Sequence, residues 1–373
     1  MTRKILDCHV HYGQPLRPNE LLNLLNQSKT DYFNLVLLPD RQFISAIVDG
    51  MIFKDIAKNR CYVFSSLDVS KYYMSRLTLG SAFKKYTKFL QKMGADGIKI
   101  IEGKPNLRKG MPIPDFDKKV WDPFWKYCEE SNFPILMHLN DPEEFWDINK
   151  VPSWAKEQGW SYDQSYVNNE DQYRQMLTVL KRHPNLKIIF AHFFFMSHQL
   201  ERLGKILDEF PNVMIDLTPG IEMYTNFQDD IKSTRAFFIK YQNRIIYGTD
   251  IGARAVLGNQ KLNASECLKR AELVRKFLEL DQVEVHPDGA FVPAGKAMKI
   301  KGLKLEDEML DKIYYSNFVN FVGPIKKINP QLVVKEAKRL KKTIRIMSVF
   351  DKKVKKDFSN LNIGISYFQN KEE

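Results

Sequence analysis

Apolar positions along this chain follow two alternating rhythms. Short strand-like runs occur at Ile5–Val10, Asn34–Leu38, Cys61–Ser66, Gly97–Ile101, Pro134–His138, Lys187–His192, Val213–Leu217 and Arg244–Asp250. Between them lie segments with apolar residues at helical spacing, among them Leu21–Asn26, Ser81–Met93, Val120–Ser131, Glu170–His183, His198–Phe210 and Asp230–Tyr241. Eight such alternations predict parallel βαβ units closed into a (β/α)8 TIM barrel. An open doubly wound sheet competes with this, but no G-x-G-x-x-G follows the first strand. The barrel is therefore the expected fold.

Two segments interrupt the rhythm. Leu139–Asn169 is a long stretch rich in Trp, Pro and acidic residues, directly after the fifth strand. Barrels keep their sites in such loops, so it is expected to wall a pocket with Phe145, Trp146, Trp154 and Trp160. The second, VEVHPDGAFVPAGKAMKIKGL (Val283–Leu303), alternates about a Pro-Asp-Gly turn and predicts a β-hairpin after a helix at Ala264–Leu278.

Charge adds one qualification. The net charge of +12 would suggest nucleic acid as a partner. However, residues 326–373 hold 13 Lys/Arg against 5 Asp/Glu, a net of +8, so the preceding body is only mildly basic. Apolar residues recur among the tail's lysines, as in amphipathic helices laid on a body with a solvated basic face. The expected organisation is a barrel over residues 1–325 and a basic helical extension over 326–373 packed on it. No run approaches the roughly 20 apolar residues of a membrane helix. The start has no signal-peptide pattern, and the four scattered cysteines suit a reducing compartment. Together these features predict a cytoplasmic protein with no membrane partner.

Candidate chemistry gathers at strand ends. His9 and His11 end the first strand in DCHVHYG, and their i, i+2 spacing puts both imidazoles on one face. Lys99 lies late in the fourth strand, His138 ends the fifth, His192 the sixth and Asp250 the eighth. In a barrel all these ends face one mouth, so the six side chains converge.

That order, His-x-His, Lys, His, His, Asp, resembles the amidohydrolase superfamily. Within it the chain is most similar to the amidohydrolase-related branch that includes aminocarboxymuconate-semialdehyde decarboxylase and related hydrolases. The resemblance runs from about Lys4 to Gly323 and includes D-x-H-x-H, GIKI, the two single histidines, G-T-D and the closing GLKLEDEMLDKIYYSNFVNFVG. It implies a divalent metal held by His9, His11, His138 and Asp250. The donor set suits Zn2+, with Mn2+ or Fe2+ as alternatives. Such an ion lowers the pKa of water to about 7, and Asp250 would both ligate it and accept the water's proton. Resemblance to the decarboxylase leaves His192 as an acid/base group. Resemblance to two-metal members makes His192 a ligand of a second ion and Lys99 a carboxylated bridge.

Arg254 and Tyr12 are candidate substrate-binding residues. His183 and His198 read as helix-end surface groups, His286 as a residue of the hairpin, and Cys8 as core packing facing away from the histidines if the strand is regular. The expected function is metal-dependent hydrolysis of a small molecule at a carbonyl, lactone, ester or amide centre, possible in a homo-oligomer. The alternative on the same fold and metal is non-oxidative decarboxylation of an unsaturated or aromatic carboxylate. A scaffold that binds nucleic acid or a membrane surface through the tail is the rival from another class, and the strand-end set argues against it.

Overall fold

A computed structural model of the chain describes residues 3–12, 18–39, 45–220, 222–252, 262–285 and 298–371. Nine parallel strands form one sheet: β1 (Leu6–His11), β2 (Tyr32–Val36), β3 (Cys61–Ser66), β4 (Gly97–Gly103), β5 (Ile135–Leu139), β6 (Ile188–Phe190), β7 (Val213–Asp216), β8 (Ile245–Ile246) and β9 (Ile251–Gly252). Their order is β8-β7-β6-β5-β4-β3-β2-β1-β9, with every pair parallel. The two outer members are halves of the eighth barrel strand. β8 pairs with β7 and β9 with β1, and Cys8 N–H donates to the Tyr247 carbonyl at 3.0 Å between them. The sheet closes on itself, as a (β/α)8 barrel requires.

The strands were placed in the sequence to within a few residues, except that the eighth is split around Tyr247–Asp250. The hairpin is present as antiparallel Gln282–Val285 and Met298–Lys301, and its tip lies outside the described residues. One helix, Ile47–Ala57, lacks a polar stripe and was not evident from spacing. Nearly all its residues are buried, because the C-terminal helices Pro330–Phe350 and Ser359–Gln369 pack on its outer side.

The barrel interior is filled in layers. Leu6, Cys8, Val36, Phe64, Leu136, Ile189, Met214 and Ile246 form its middle, and Phe318 plugs the base against Tyr62 at 5.1 Å between ring centroids. Asn317 fixes that plug by donating to the carbonyls of Gln242 and Ile245 at 2.7 and 2.8 Å. Two residues further along β4, β5, β7 and β8 the same inward parity sets Lys99, His138, Asp216 and Gly248 at the mouth.

The C-terminal helix is tied to the body by buried charge. Arg339 binds Glu336 at 2.7 Å and Asp68 at 2.8 Å, both carboxylates being almost fully buried, and Tyr86 donates to Glu336 at 3.0 Å. Replacing Arg339 by Met leaves buried Glu336 without its cation and Asp68 with only Lys71 at 3.7 Å, a loss expected to cost about 3 kcal/mol. Urea unfolding of Arg339→Met is expected to show a midpoint clearly below wild type, whereas an unchanged midpoint would show that the network adds nothing.

Candidate metal centre at the barrel mouth

The centre starts from an irregularity in β1. Register against β2 shifts between Asp7 and Val10. A bulge here lets Cys8 and His9 both face inward, so Cys8 does not point away from the histidines as a regular strand would have it. Both reach Asp216 of β7: His9 Nδ1 at 2.9 Å and Cys8 Sγ at 3.9 Å. Val10 and Tyr12 turn out between sheet and helices, and the Tyr12 ring lies 4.7 Å from that of Phe53.

His9 and His11 are oriented from behind. His9 Nδ1 faces the Asp216 carboxylate and the Thr218 hydroxyl (3.1 Å), and His11 Nδ1 donates to the Val36 carbonyl at 3.1 Å. Both rings therefore present Nε2 to the mouth. Carboxylate or carbonyl partners of this kind fix the tautomer of metal-binding imidazoles. His11 Nε2 stands 2.8 Å from Asp250 Oδ1, and His9 Nε2 is 3.9 Å from the same oxygen. One donor atom from each of the three residues lies within 4.8 Å of the others. Two imidazoles and a carboxylate suit a divalent transition metal, and the donor set fits the ion that the sequence implies.

Asp250 owes its aim to the split in the eighth strand. Its φ is +58°, its N–H donates to the His9 carbonyl at 3.0 Å, and its Oδ2 is held by Arg270 at 3.2 Å. Gly248 lets this segment approach β1, since a Cβ there would stand 2.8 Å from Thr218 Oγ1 and 3.0 Å from Cys8 Sγ. Behind it, buried Asp7 accepts from the N–H groups of His9 (3.0 Å) and Thr249 (3.2 Å) and from the Thr249 hydroxyl. Burial pushes the Asp7 carboxyl up to about 7.

Lys99 enters the same cluster, its Nζ 3.1 Å from His9 Nε2. Burial pulls its amine down to about 8. His192 follows β6 in an unusual turn, with φ of 56°, 54°, 59° and 52° from His192 to Phe195. Each left-handed non-glycine residue costs roughly 1–2 kcal/mol, so packing must hold this run. Phe194 stacks on Phe190 at 3.7 Å, Phe195 stacks on His192 at 4.9 Å, and Tyr173 donates to the Phe194 carbonyl at 3.0 Å. Asp216 anchors its start by accepting from the His192 N–H at 2.8 Å. The His192 ring lies 5.8 Å from that of His9 and 4.8 Å from that of His138. Burial holds both His9 and His192 well below the usual imidazole range.

His138 stands slightly apart. Its Nε2 faces Asp141 Oδ1 at 3.2 Å, and it is not in the compact three-residue group. Asp141 also accepts from Lys104 at 2.5 Å and from the Tyr162 hydroxyl. Although burial opposes it, Lys104 and His138 hold the Asp141 carboxyl down at about 2. Tyr162 belongs to the insertion's own cluster with Phe145, Val151 and Ala155, and Lys104 lies 4.1 Å over the Trp160 ring. The insertion is thus fastened beside His138 at the mouth.

Arg254 and His286 lie outside the described residues. His183 pairs with Glu129 at 2.9 Å, and His198, part-exposed, pairs with Glu143 at 2.8 Å. Sequence reasoning missed Asp216, Arg270 and Asp141. Asp216 alone had a legible signal, an acidic residue ending an apolar strand in VMID.

A closed parallel barrel with imidazoles and a carboxylate gathered at its mouth defines a class: metal-dependent enzymes of the amidohydrolase type. The amidohydrolase family model matches residues 78–317, nearly two thirds of the chain, and the chain belongs to that family. The match holds Lys99, His138, His192 and Asp250, while His9 and His11 precede it. No curated protein matches the sequence. Among solved structures, 2,6-dihydroxybenzoate decarboxylase in complex with 2,6-dihydroxybenzoate has a TM-score of 0.51 at 12% identity, covering 86% of this chain and 98% of its own. The same enzyme from Rhizobium gives 0.50 at 13%, over 86% and 99%. A dihydroxybenzoic acid decarboxylase from a Polaromonas species, with manganese and 2-nitroresorcinol bound, gives 0.51 at 12%, over 86% and 96%. At these identities the likeness is one of fold.

His9→Ala/His11→Ala is expected to abolish stoichiometric divalent metal. Asp216→Asn, which removes the orienting charge and turns one acceptor oxygen into a donor, is expected to weaken affinity about 10–100-fold. Titration against a competing chelator measures both, and wild-type affinity in either variant would refute this assignment.

Proposed function

We propose that this enzyme is a metal-dependent hydrolase acting on a small molecule at a lactone, ester or amide carbonyl. The observation that carries the reading is the third imidazole beside the donor set. His192 is buried and neutral near pH 7, and its Nδ1 has no protein partner among the described residues. A divalent ion bound there supplies a Lewis acid and makes hydroxide accessible near neutral pH. His9, His11 and Asp250 would hold it in this reading, and His138 would be the further donor. His192 carries the proton between the attacking water and the leaving group, and its backbone bond to Asp216 keeps the ring in place. Lys99, part neutral at pH 8, would either face a substrate carboxylate as a cation or, as a carbamate formed from its neutral amine and CO2 with loss of a proton, offer a further carboxylate donor to the metal centre. Zn2+ is the preferred ion, and the insertion Leu139–Asn169 walls the substrate from water.

One observation favours the decarboxylase reading. Arg270 sits on Asp250 Oδ2 at 3.2 Å, so that oxygen is already engaged by a guanidinium. With Oδ2 on Arg270 and Oδ1 facing His11, Asp250 is less open to a water than the sequence suggested. In decarboxylation no such base is needed: the bond to the carboxylate carbon breaks, CO2 leaves, and the electron pair takes a proton from His192 in its imidazolium form, which would return to the neutral imidazole. The negative charge of a bound carboxylate substrate would favour that protonated form.

The metal-loaded enzyme, assayed on lactones, esters and amides and in parallel for CO2 release from aromatic and unsaturated carboxylates, separates the two. Hydrolysis is expected, falling at least about 10²-fold in His192→Asn with metal retained, whereas Asp250→Asn is expected to lose activity together with metal affinity. CO2 release without hydrolysis of any of these substrates would replace this proposal by decarboxylation. Full hydrolysis by His192→Asn would remove that residue from the chemistry.

A further inference from the structure

The helix Pro330–Phe350 turns one stripe outward: Lys335, Lys338, Lys342 and Arg345, spaced three and four apart, are all exposed. The stripe does not end in more charge. It runs into Ile346, Val349 and Phe350, which are 44%, 74% and 82% exposed. Four exposed lysines follow within five residues, Lys352, Lys353, Lys355 and Lys356, against only Asp351 and Asp357 of opposite sign. A second apolar group stands beside this one. Met74 and Leu77, 54% and 96% exposed, lie in the connection after β3, and neighbouring Tyr73 is within electrostatic reach of Asp351. Both groups flank the same helix, Leu79–Met93.

We propose that this patch docks the enzyme on an anionic lipid surface. Exposed aliphatic and aromatic side chains ringed by lysines provide the two signals that stable peripheral binding needs: apolar insertion at the headgroup boundary and attraction to negative headgroups. A nucleic-acid backbone would satisfy the lysines but give Phe350, Val349 and Leu77 no partner. A second copy related by two-fold symmetry would set the same lysines against each other. Because the connection after β3 lies at the C-terminal strand ends, docking here brings the barrel mouth close to the lipid headgroups. This inference is independent of the reaction at the metal centre.

Sedimentation of the full chain with vesicles of three parts phosphatidylcholine to one part phosphatidylglycerol tests it. Binding is expected, at least tenfold weaker on pure phosphatidylcholine and in high salt. Val349→Ser/Phe350→Ser and Lys352→Glu/Lys353→Glu, both at exposed positions, are each expected to lose at least tenfold with unchanged thermal melting. No sedimentation with the anionic vesicles, or binding indifferent to Val349→Ser/Phe350→Ser, overturns the proposal. So does a DNA duplex that binds as tightly as the vesicles and ignores that variant, or a dimer that the variant abolishes in the absence of vesicle binding.

Discussion

A single buried carboxylate, that of Asp216, organises the mouth of this barrel. Its oxygens meet His9 Nδ1, the backbone N–H groups of His192 and Thr218, and the Cys8 thiol. An isolated charge at this depth would be very costly, so the donors converge on it from β1, from the turn after β6 and from the segment after β7. Each donor then has a fixed position. Through Asp216 the first strand, which brings two imidazoles, is tied to the sixth, which brings a third.

The local distortions of the barrel lie in the same layer. A bulge turns β1, a left-handed turn carries His192, and a positive φ at Asp250 splits the eighth strand. Each is unfavourable alone, and strain of this kind persists where surrounding structure determines it. Here the aromatic stack about Phe190–Phe195 and the hydrogen bonds to Asp7 and Asp216 supply that support. Deeper in the barrel, where no chemistry is placed, Leu136, Ile189, Met214 and Ile246 pack in regular alternation.

Much of this was legible in the sequence. Alternating rhythms revealed the barrel, because strands buried on both faces read as apolar runs and their covering helices as amphipathic. The strand-end residues followed from topology, since parallel strands place their C-termini at one mouth. The helix Ile47–Ala57 was hidden for the opposite reason: covered on both sides, it carries no stripe. Asp216 showed only as an acidic residue ending the apolar run VMID, and Arg270 stands in no motif; the roles of both depend on contacts across the barrel. The parity of Cys8 could not be read, as a bulge leaves no mark in a pattern of alternation. Arg270 reaches Asp250 from a helix later in the chain, and its hold on Oδ2 leaves no trace in the local sequence.

The central claim is that His9 Nε2, His11 Nε2 and Asp250 form one metal site, oriented from behind by Asp216. Anomalous diffraction at the absorption edge of the metal, from crystals of the metal-loaded enzyme, tests it most directly. The account predicts an anomalous peak in bonding contact with both Nε2 atoms and an Asp250 oxygen, with Asp216 still on His9 Nδ1. A peak held by other residues, or none here while Lys99 remains against His9 Nε2, would contradict it.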